Sequence, residues 1–280
     1  MITIENLVKK YRDFELNVSL EIPDGQVCGL VGKNGAGKST TIKSILGLVR
    51  PDSGKVIVMG KNVADMKAND KQNIGVALAE SGFSGYLTVN DVIAILKNMY
   101  DDFDEDYFRY LCIRFDVPLG KVIREFSTGM KAKVRVLSAI SHKAKLLIMD
   151  EPTSGLDVEA RNDILDILRE YLKENEDCSI LISSHISSDL ENLCDDIYLI
   201  HEGKIILHED TDRILSSYAI LKVDEETHDT MDRSYVLKEK KESYGYRCLT
   251  DQKQFYIENY PEIVVENGSI DDLILMLTGR

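Results

Sequence analysis

One octapeptide constrains this chain more than any other segment. Gly32-Lys33-Asn34-Gly35-Ala36-Gly37-Lys38-Ser39 fits the spacing G-x-x-x-x-G-K-[ST]. The apolar run Gln26 to Val31 precedes it and suits a buried strand, while Ile42, Ile45, Leu46 and Val49 follow at helical spacing. Strand, glycine loop and helix form the context that gives the motif its meaning. The glycines let the backbone curl until several N–H groups aim at one phosphate, and the helix N-terminus adds its positive end. Gly32, Asn34, Gly35, Ala36, Gly37 and Thr40 are therefore expected to cradle phosphates. Lys38 is expected to reach the β- and γ-phosphates, and the Ser39 hydroxyl to ligate Mg²⁺. The embedded Gly35-x-Gly37 is not a dinucleotide fingerprint, because no second spacing or ribose-binding acid follows it.

A second strand carries the acids such a site needs. Leu146-Leu147-Ile148-Met149 runs into Asp150-Glu151. Four apolar residues ending in two carboxylates read as a central parallel strand with acids at its C-terminal tip, the edge where open α/β sheets bind ligands. Asp150 is expected to hold Mg²⁺, and Glu151 to polarise the water that attacks the γ-phosphate. The fold class expected is α/β.

Composition narrows the partners. Lys plus Arg number 34 against 48 Asp plus Glu, a net charge of −14. That sign opposes nucleic acid and anionic lipid as partners. The longest uncharged stretch, Cys178 to Ser188, is too short to span a bilayer, and "MITIENLVKKYRD" has no apolar signal core. A cytoplasmic protein without direct membrane insertion is expected. Five scattered cysteines show neither metal spacing nor a disulfide framework. His142, His201, His208 and His228 also lack ligand partners at metal spacing, and read as surface or loop residues.

Four further segments name a family. "FSTGMK" (Phe126 to Lys131), "EPTSGLD" (Glu151 to Asp157), His185 in "LISSHISSDLE" and Tyr11 in "NLVKKYRD" stand in order around the phosphate loop and the acid pair. Over roughly residues 2–212 the chain resembles the ATP-binding subunit of ABC transporters. The resemblance implies a P-loop ATPase with a mixed-sheet core, an antiparallel β subdomain and a helical signature subdomain. It implies that Tyr11 stacks on adenine, that His185 contacts the γ-phosphate, and that Ser154 to Asp157 form the D-loop. It also implies that Ser127 and the backbone at Gly129 cap ATP held by a second ATPase subunit, so that a homodimer encloses two sites. The residues support the signature independently. Ser127 precedes helically spaced apolar positions and offers an N-cap hydroxyl beside free amides. This would be a second anion site in a chain whose Lys38 already serves the first.

The sequence departs from the family at four places. Met130 stands where the signature has an amide side chain. Ala79 aligns with the glutamine that normally ligates Mg²⁺, and the neighbouring Glu80 is expected to supply that oxygen. Lys33 replaces a proline inside the phosphate loop. Residues 213–280 lie beyond the usual ATPase unit, and are expected to form a small α+β accessory domain after a 1–212 ATPase domain. "NMYDDFDEDYFRYLCIRFDVPLGKVIREFSTGMKAKV" (Asn98 to Val134) resembles the branch that exports drugs, bacteriocins and peptides. The implied partner is an integral membrane permease docking near residues 75–90.

Local patterns complete the expectation. Residues 2–31 read as antiparallel strands, and 84–142 as the helical subdomain. Thr88, Asp157, Ser188 and Ser269 read as helix caps, and Glu202-Gly203 as a hairpin turn. Acids from Asp101 to Asp106 suit the entry to a helix near Asp104. In the tail, "YAILKVD", "SYVLKE", "RCLTD" and "QFYIENY" read as strands before a final helix, and Lys238 to Glu242 as a solvated turn. The alternative function, a non-transport ATPase on a soluble macromolecule, fits less well. Only 89 positions separate Lys38 from Ser127, with no sustained heptads for a coiled-coil insertion.

Overall fold

Apolar runs and alternating runs sort into different sheets. The structure is a computed structural model that describes residues 1–79 and 82–279. Val27–Val31, Leu146–Asp150 and Ser179–Ser184 are buried at every position, as strands covered on both faces must be. They sit in one six-stranded sheet ordered 204–210, 196–201, 27–31, 179–184, 146–150, 74–78. Every pairing is parallel except the edge hairpin Asp196–His201 with Lys204–Asp210. That hairpin turns at Glu202 and Gly203, both at positive φ, the conformation that matches strand twist.

The expectation that residues 2–31 are all antiparallel needs correcting. Ile2–Lys10 and Glu15–Ile22 do pair that way, in a separate sheet with Ser53–Val58 and Lys61–Asn62. Val27–Val31 leaves them for the centre of the parallel sheet. The period decides it: Glu15–Ile22 alternates exposed and buried throughout, whereas Val27–Val31 has no exposed face.

Three helices between the strand Ile74–Leu78 and the strand Leu146–Asp150 follow the caps read from sequence. Thr88 and Asp91 form a capping box for Val89–Met99, Asp104 caps Glu105–Arg114, and the Ser127 hydroxyl accepts from the Met130 N–H to cap Thr128–Ile140. The last of these lies so close to the sheet that a Cβ on Gly75 would stand 2.1 Å from the Ala139 carbonyl oxygen. Asp157 caps Val158–Glu174, whose Ile164, Leu165, Leu168 and Tyr171 are buried. Ser188 does not cap. The helix Ser187–Glu191 starts one residue earlier, and the Ser188 hydroxyl accepts from Arg161 at 2.5 Å.

The C-terminal part forms a third sheet, ordered 236–242, 245–250, 219–223, 264–267 and antiparallel throughout. Two expectations fail here. "QFYIENY" falls in the helix Lys253–Asn259, where Phe255 and Tyr256 make an edge-on ring contact and Gln254 bonds Glu258 one turn on. The fourth strand is Val264–Asn267 instead. Lys238 to Glu242 belongs to the strand Val236–Glu242, an edge strand whose charges discourage further pairing. The final helix, Ile270–Thr278, is capped by Ser269 and ends at Gly279 as expected. One face of this sheet is continuous with the main apolar core through Ile220 and Leu249, joined by Ile270, Leu273 and Met276 of the final helix. The other face holds a separate core of six buried residues, among them Leu221, Cys248 and Tyr256.

Candidate nucleotide site

The site forms where three parallel strands end. Val27–Val31 leads into the glycine loop and then into the helix Lys38–Ile45. Two glycines are required by the local geometry. Gly32 has φ 155°, and a Cβ there would approach the Ile200 carbonyl oxygen to 2.3 Å. Gly37, at φ 119°, caps the helix in a conformation closed to ordinary side chains. Lys38 is only 6% exposed, and its Nζ donates to the Gly32 carbonyl at 2.7 Å, folding back over the loop.

The neighbouring strand delivers the acids. Asp150 is buried, and its Oδ1 accepts from the Ser183 hydroxyl at 2.6 Å. The Glu151 N–H donates to the same hydroxyl and to the Ser183 carbonyl, each at 3.1 Å. This holds Glu151 at φ 51°, an uncommon conformation for a residue with a side chain. Its carboxylate is shared: Oε1 lies 3.3 Å from Lys38 Nζ, and Oε2 lies 2.5 Å from His185 Nδ1 and 3.2 Å from the His185 N–H. The side chain of Glu151 is 14% exposed and that of Lys38 7%, whereas His185 is 45% exposed, so the lysine side of this carboxylate is the drier one, where electrostatic contacts count for more.

A cavity of about 920 Å³ gathers these groups. Asn34, Gly35, Gly37, Lys38, Ser39 and Thr40 line one wall, Glu151, Ser154 and His185 another, and Tyr11 with Phe14 the far end. Tyr11 is half exposed, its ring 6.3 Å from that of Phe14. Ala36 is buried beneath the loop. Ser127, Gly129 and Asp157 do not line this cavity. Ser127 is exposed at its helix start, and Gly129 is pressed against the next helix, where an added Cβ would meet that of Ala160 at 2.7 Å. Glu80 lies outside the described residues. Its neighbour Ala79 lines the cavity, and the Ala79 carbonyl accepts from Arg135 at 2.6 Å.

Sequence reasoning missed the groups that hold the site from behind. Ser183 is one. Another is the buried Asp189, which accepts from the Thr153 hydroxyl at 2.6 Å and from the Arg161 guanidinium, so linking the segment after Glu151 to the helix after His185. The available signal was position: Ser183 is two residues before His185 on the strand beside Asp150. Lys33, which replaces a proline inside the phosphate loop, is another. Its Nζ donates to the Thr278 carbonyl at 2.9 Å, joining the glycine loop to the last turn of the final helix. His142 and His228 are buried and stacked on Tyr100 and Tyr246, not on the surface. Burial holds the His142 imidazole below its ordinary pKa.

A strand, a glycine loop, a buried lysine and a paired acid at the sheet edge define a P-loop nucleotide hydrolase. The ABC transporter family model matches residues 16–154. The lantibiotic transport ATP-binding protein SrtF of Streptococcus pyogenes is 36% identical over 218 residues, covering 76% of this chain and 92% of that one. The bacitracin transport ATP-binding protein BcrA of Bacillus licheniformis is 33% identical over 198 residues, covering 68% and 62%. A solved ATP-binding subunit of an ABC transporter superposes with a TM-score of 0.67 at 28% identity, covering 76% of this chain and 91% of that one. The chain belongs to the ABC transporter family as an ATP-binding and ATP-hydrolysing subunit. Among the described residues, no helix is long and apolar enough to cross a membrane.

Proposed function

We propose that this chain powers an exporter of antimicrobial peptides or drugs by closing and opening as a head-to-tail dimer around ATP. The observation that carries the catalytic reading is the Glu151 carboxylate, held between Lys38 and His185 in the cavity of the glycine loop. Tyr11 takes the adenine face. The loop amides and Lys38 take the phosphates. Glu151 then accepts the proton of the attacking water, while His185 moves from Glu151 to the γ-phosphate.

The oxygen donors present fit Mg²⁺, which binds hydroxyl and carboxylate oxygens. Ser39 and Asp150 would hold it, and Asp150 keeps one oxygen clear of the Ser183 hydroxyl for that purpose. The ion supplies charge neutralisation at the phosphates. Glu80 is proposed to add an oxygen from the segment after Ala79.

Ser127, Gly129 and Asp157 are assigned to the ATP of the opposite subunit, a reading supported by their absence from the lining of their own chain's cavity. The export reading is supported by the lantibiotic and bacitracin transport names of the relatives. A membrane permease would dock at the cytoplasmic face. An apolar cleft of about 520 Å³, walled by Leu48, Met66, Ile74, Val76, Leu78 and Met99, suits an amphipathic helix from it. Residues 213–280 are proposed as an accessory domain on a 1–212 engine.

Glu151→Gln tests the core of this reading. The variant should bind ATP, fall at least about a hundredfold in turnover and elute as a dimer in ATP. Turnover near the wild-type rate overturns the assignment of Glu151 as base.

A further inference from the structure

His228, Glu239 and Cys248 converge on the outer face of the C-terminal sheet, and their potential ligand atoms all lie within 4.8 Å of one another. The convergence is built by the fold. Glu239 and Cys248 are direct partners across the antiparallel strands 236–242 and 245–250, so their side chains leave the same face. His228 comes from the short helix Glu225–Thr230, which packs on the second of these strands. Tyr246, two residues before Cys248, stacks on the imidazole at 3.7 Å between centroids and fixes its plane.

Two of the three donors are buried. His228 is 3% exposed and Cys248 is fully buried. Nε2 of His228 lies 3.0 Å from the Glu239 carboxylate. Nδ1 is buried without a hydrogen-bond partner, since the nearest acid, Asp229, is 3.7 Å away. The surrounding core has only six buried residues.

We propose that His228, Glu239 and Cys248 form a zinc site, with a water as the fourth ligand on the side where Glu239 meets solvent. The donor set selects the ion. One imidazole, one thiolate and one carboxylate suit tetrahedral Zn²⁺, whereas Mg²⁺ and Ca²⁺ take oxygen alone. The 3.0 Å hydrogen bond between the nitrogen and the carboxylate oxygen would open to the roughly 3.3–3.4 Å edge of a tetrahedron with bonds of about 2.0–2.1 Å. On binding, the Cys248 thiol releases its proton to solvent, and the two negative ligands neutralise the ion. The ion would pin the helix Glu225–Thr230 to the strand pair beneath it.

Co²⁺ titration of the chelator-treated full chain decides the matter. One equivalent should bind with the visible bands of a four-coordinate ion and a near-ultraviolet thiolate-to-cobalt band, both abolished when Zn²⁺ displaces it. Cys248→Ser should lose the thiolate band. Cys248 is a core position, so the exposed Glu239→Gln serves as the second variant. It should weaken Zn²⁺ binding at least about tenfold, with ATPase turnover and far-ultraviolet circular dichroism unchanged. No saturable binding below about 100 μM, or a thiolate band that survives Cys248→Ser, overturns the proposal.

Discussion

Ser183 shows how much of a nucleotide site is made by a residue that touches no nucleotide. Its hydroxyl gives a hydrogen bond to Asp150 and takes one from the Glu151 N–H, so one small side chain sets the direction of both acids. It is fully buried. Removing the hydroxyl strands a carboxylate oxygen, which costs about 1–3 kcal/mol. Ser183→Ala should therefore lower the midpoint of urea denaturation. It should also cut kcat about tenfold, as loss of a supporting contact does, with a smaller change in KM for ATP. Steady-state kinetics beside the denaturation curve check both. A kcat equal to wild type removes Ser183 from any role in aiming Glu151. This residue was missed in the sequence, because a serine inside an apolar strand carries no pattern of its own and only its place two residues before His185 marks it. Lys38, Asp150 and Glu151 were legible because their chemistry needs fixed neighbours: a glycine turn before one, and an apolar strand before the others.

At the scale of elements, the packing of the helix Thr128–Ile140 and its proposed part in the dimer meet at one residue. Gly129 offers its backbone near the helix start, and it also lets the helix Val158–Glu174 come close. A Cβ on Gly129 would sit 2.7 Å from the Ala160 Cβ, too near to be accommodated without a shift. Gly129→Ala should destabilise the isolated chain by about 1–3 kcal/mol through overpacking alone. Adding Ala160→Gly should restore part of that loss. A double-mutant cycle on denaturation midpoints, without nucleotide, separates this packing term from any role across a dimer. Strictly additive effects would show that the two positions do not press on one another.

Elements were read well where one period dominated. The strand Glu15–Ile22, the caps at Thr88 and Asp157 and the helix entry near Asp104 all appear as read from the sequence. Reading failed in the tail, where local signals conflict. Aromatic residues in Lys253–Asn259 suggested a strand, but they serve a helix whose Tyr256 enters a small core. Lysines and glutamates in Val236–Glu242 suggested a turn, yet they protect a sheet edge. Both errors have one cause: those choices are made by the neighbouring strand or core, which a window of ten residues does not contain. The trio His228, Glu239 and Cys248 escaped for the same reason. Its members are 11 and 9 positions apart, and only the strand register brings two of them face to face.

Over the whole molecule, all five cysteines are buried and free. In the metal-free chain, burial pushes the thiols of Cys28, Cys112, Cys178 and Cys248 up to about 12, and that of Cys194 well above its ordinary value. The nucleophile is the thiolate, and at pH 8 a group titrating near 12 is thiolate in only about one molecule in ten thousand. A thiol reagent at pH 8 should label essentially none of them in minutes in the folded chain, and all five in denaturant. The acceleration expected on raising pH lies above neutrality, because a raised thiol pKa moves reactivity toward alkaline pH. Rapid labelling of one cysteine at pH 8 would identify a segment that opens locally.

The bond from Lys33 to the Thr278 carbonyl joins the first and last parts of the chain's machinery. The final helix also receives support at its start, where the Ile270 N–H donates to Glu191 on the helix that follows His185. Its two ends thus abut the two segments proposed to meet the γ-phosphate. This makes the chain's last turn a natural reporter. A fluorophore at the half-exposed Leu275 would sit on an element fastened to both the glycine loop and the helix after His185, and its emission would follow nucleotide loading without touching the nucleotide.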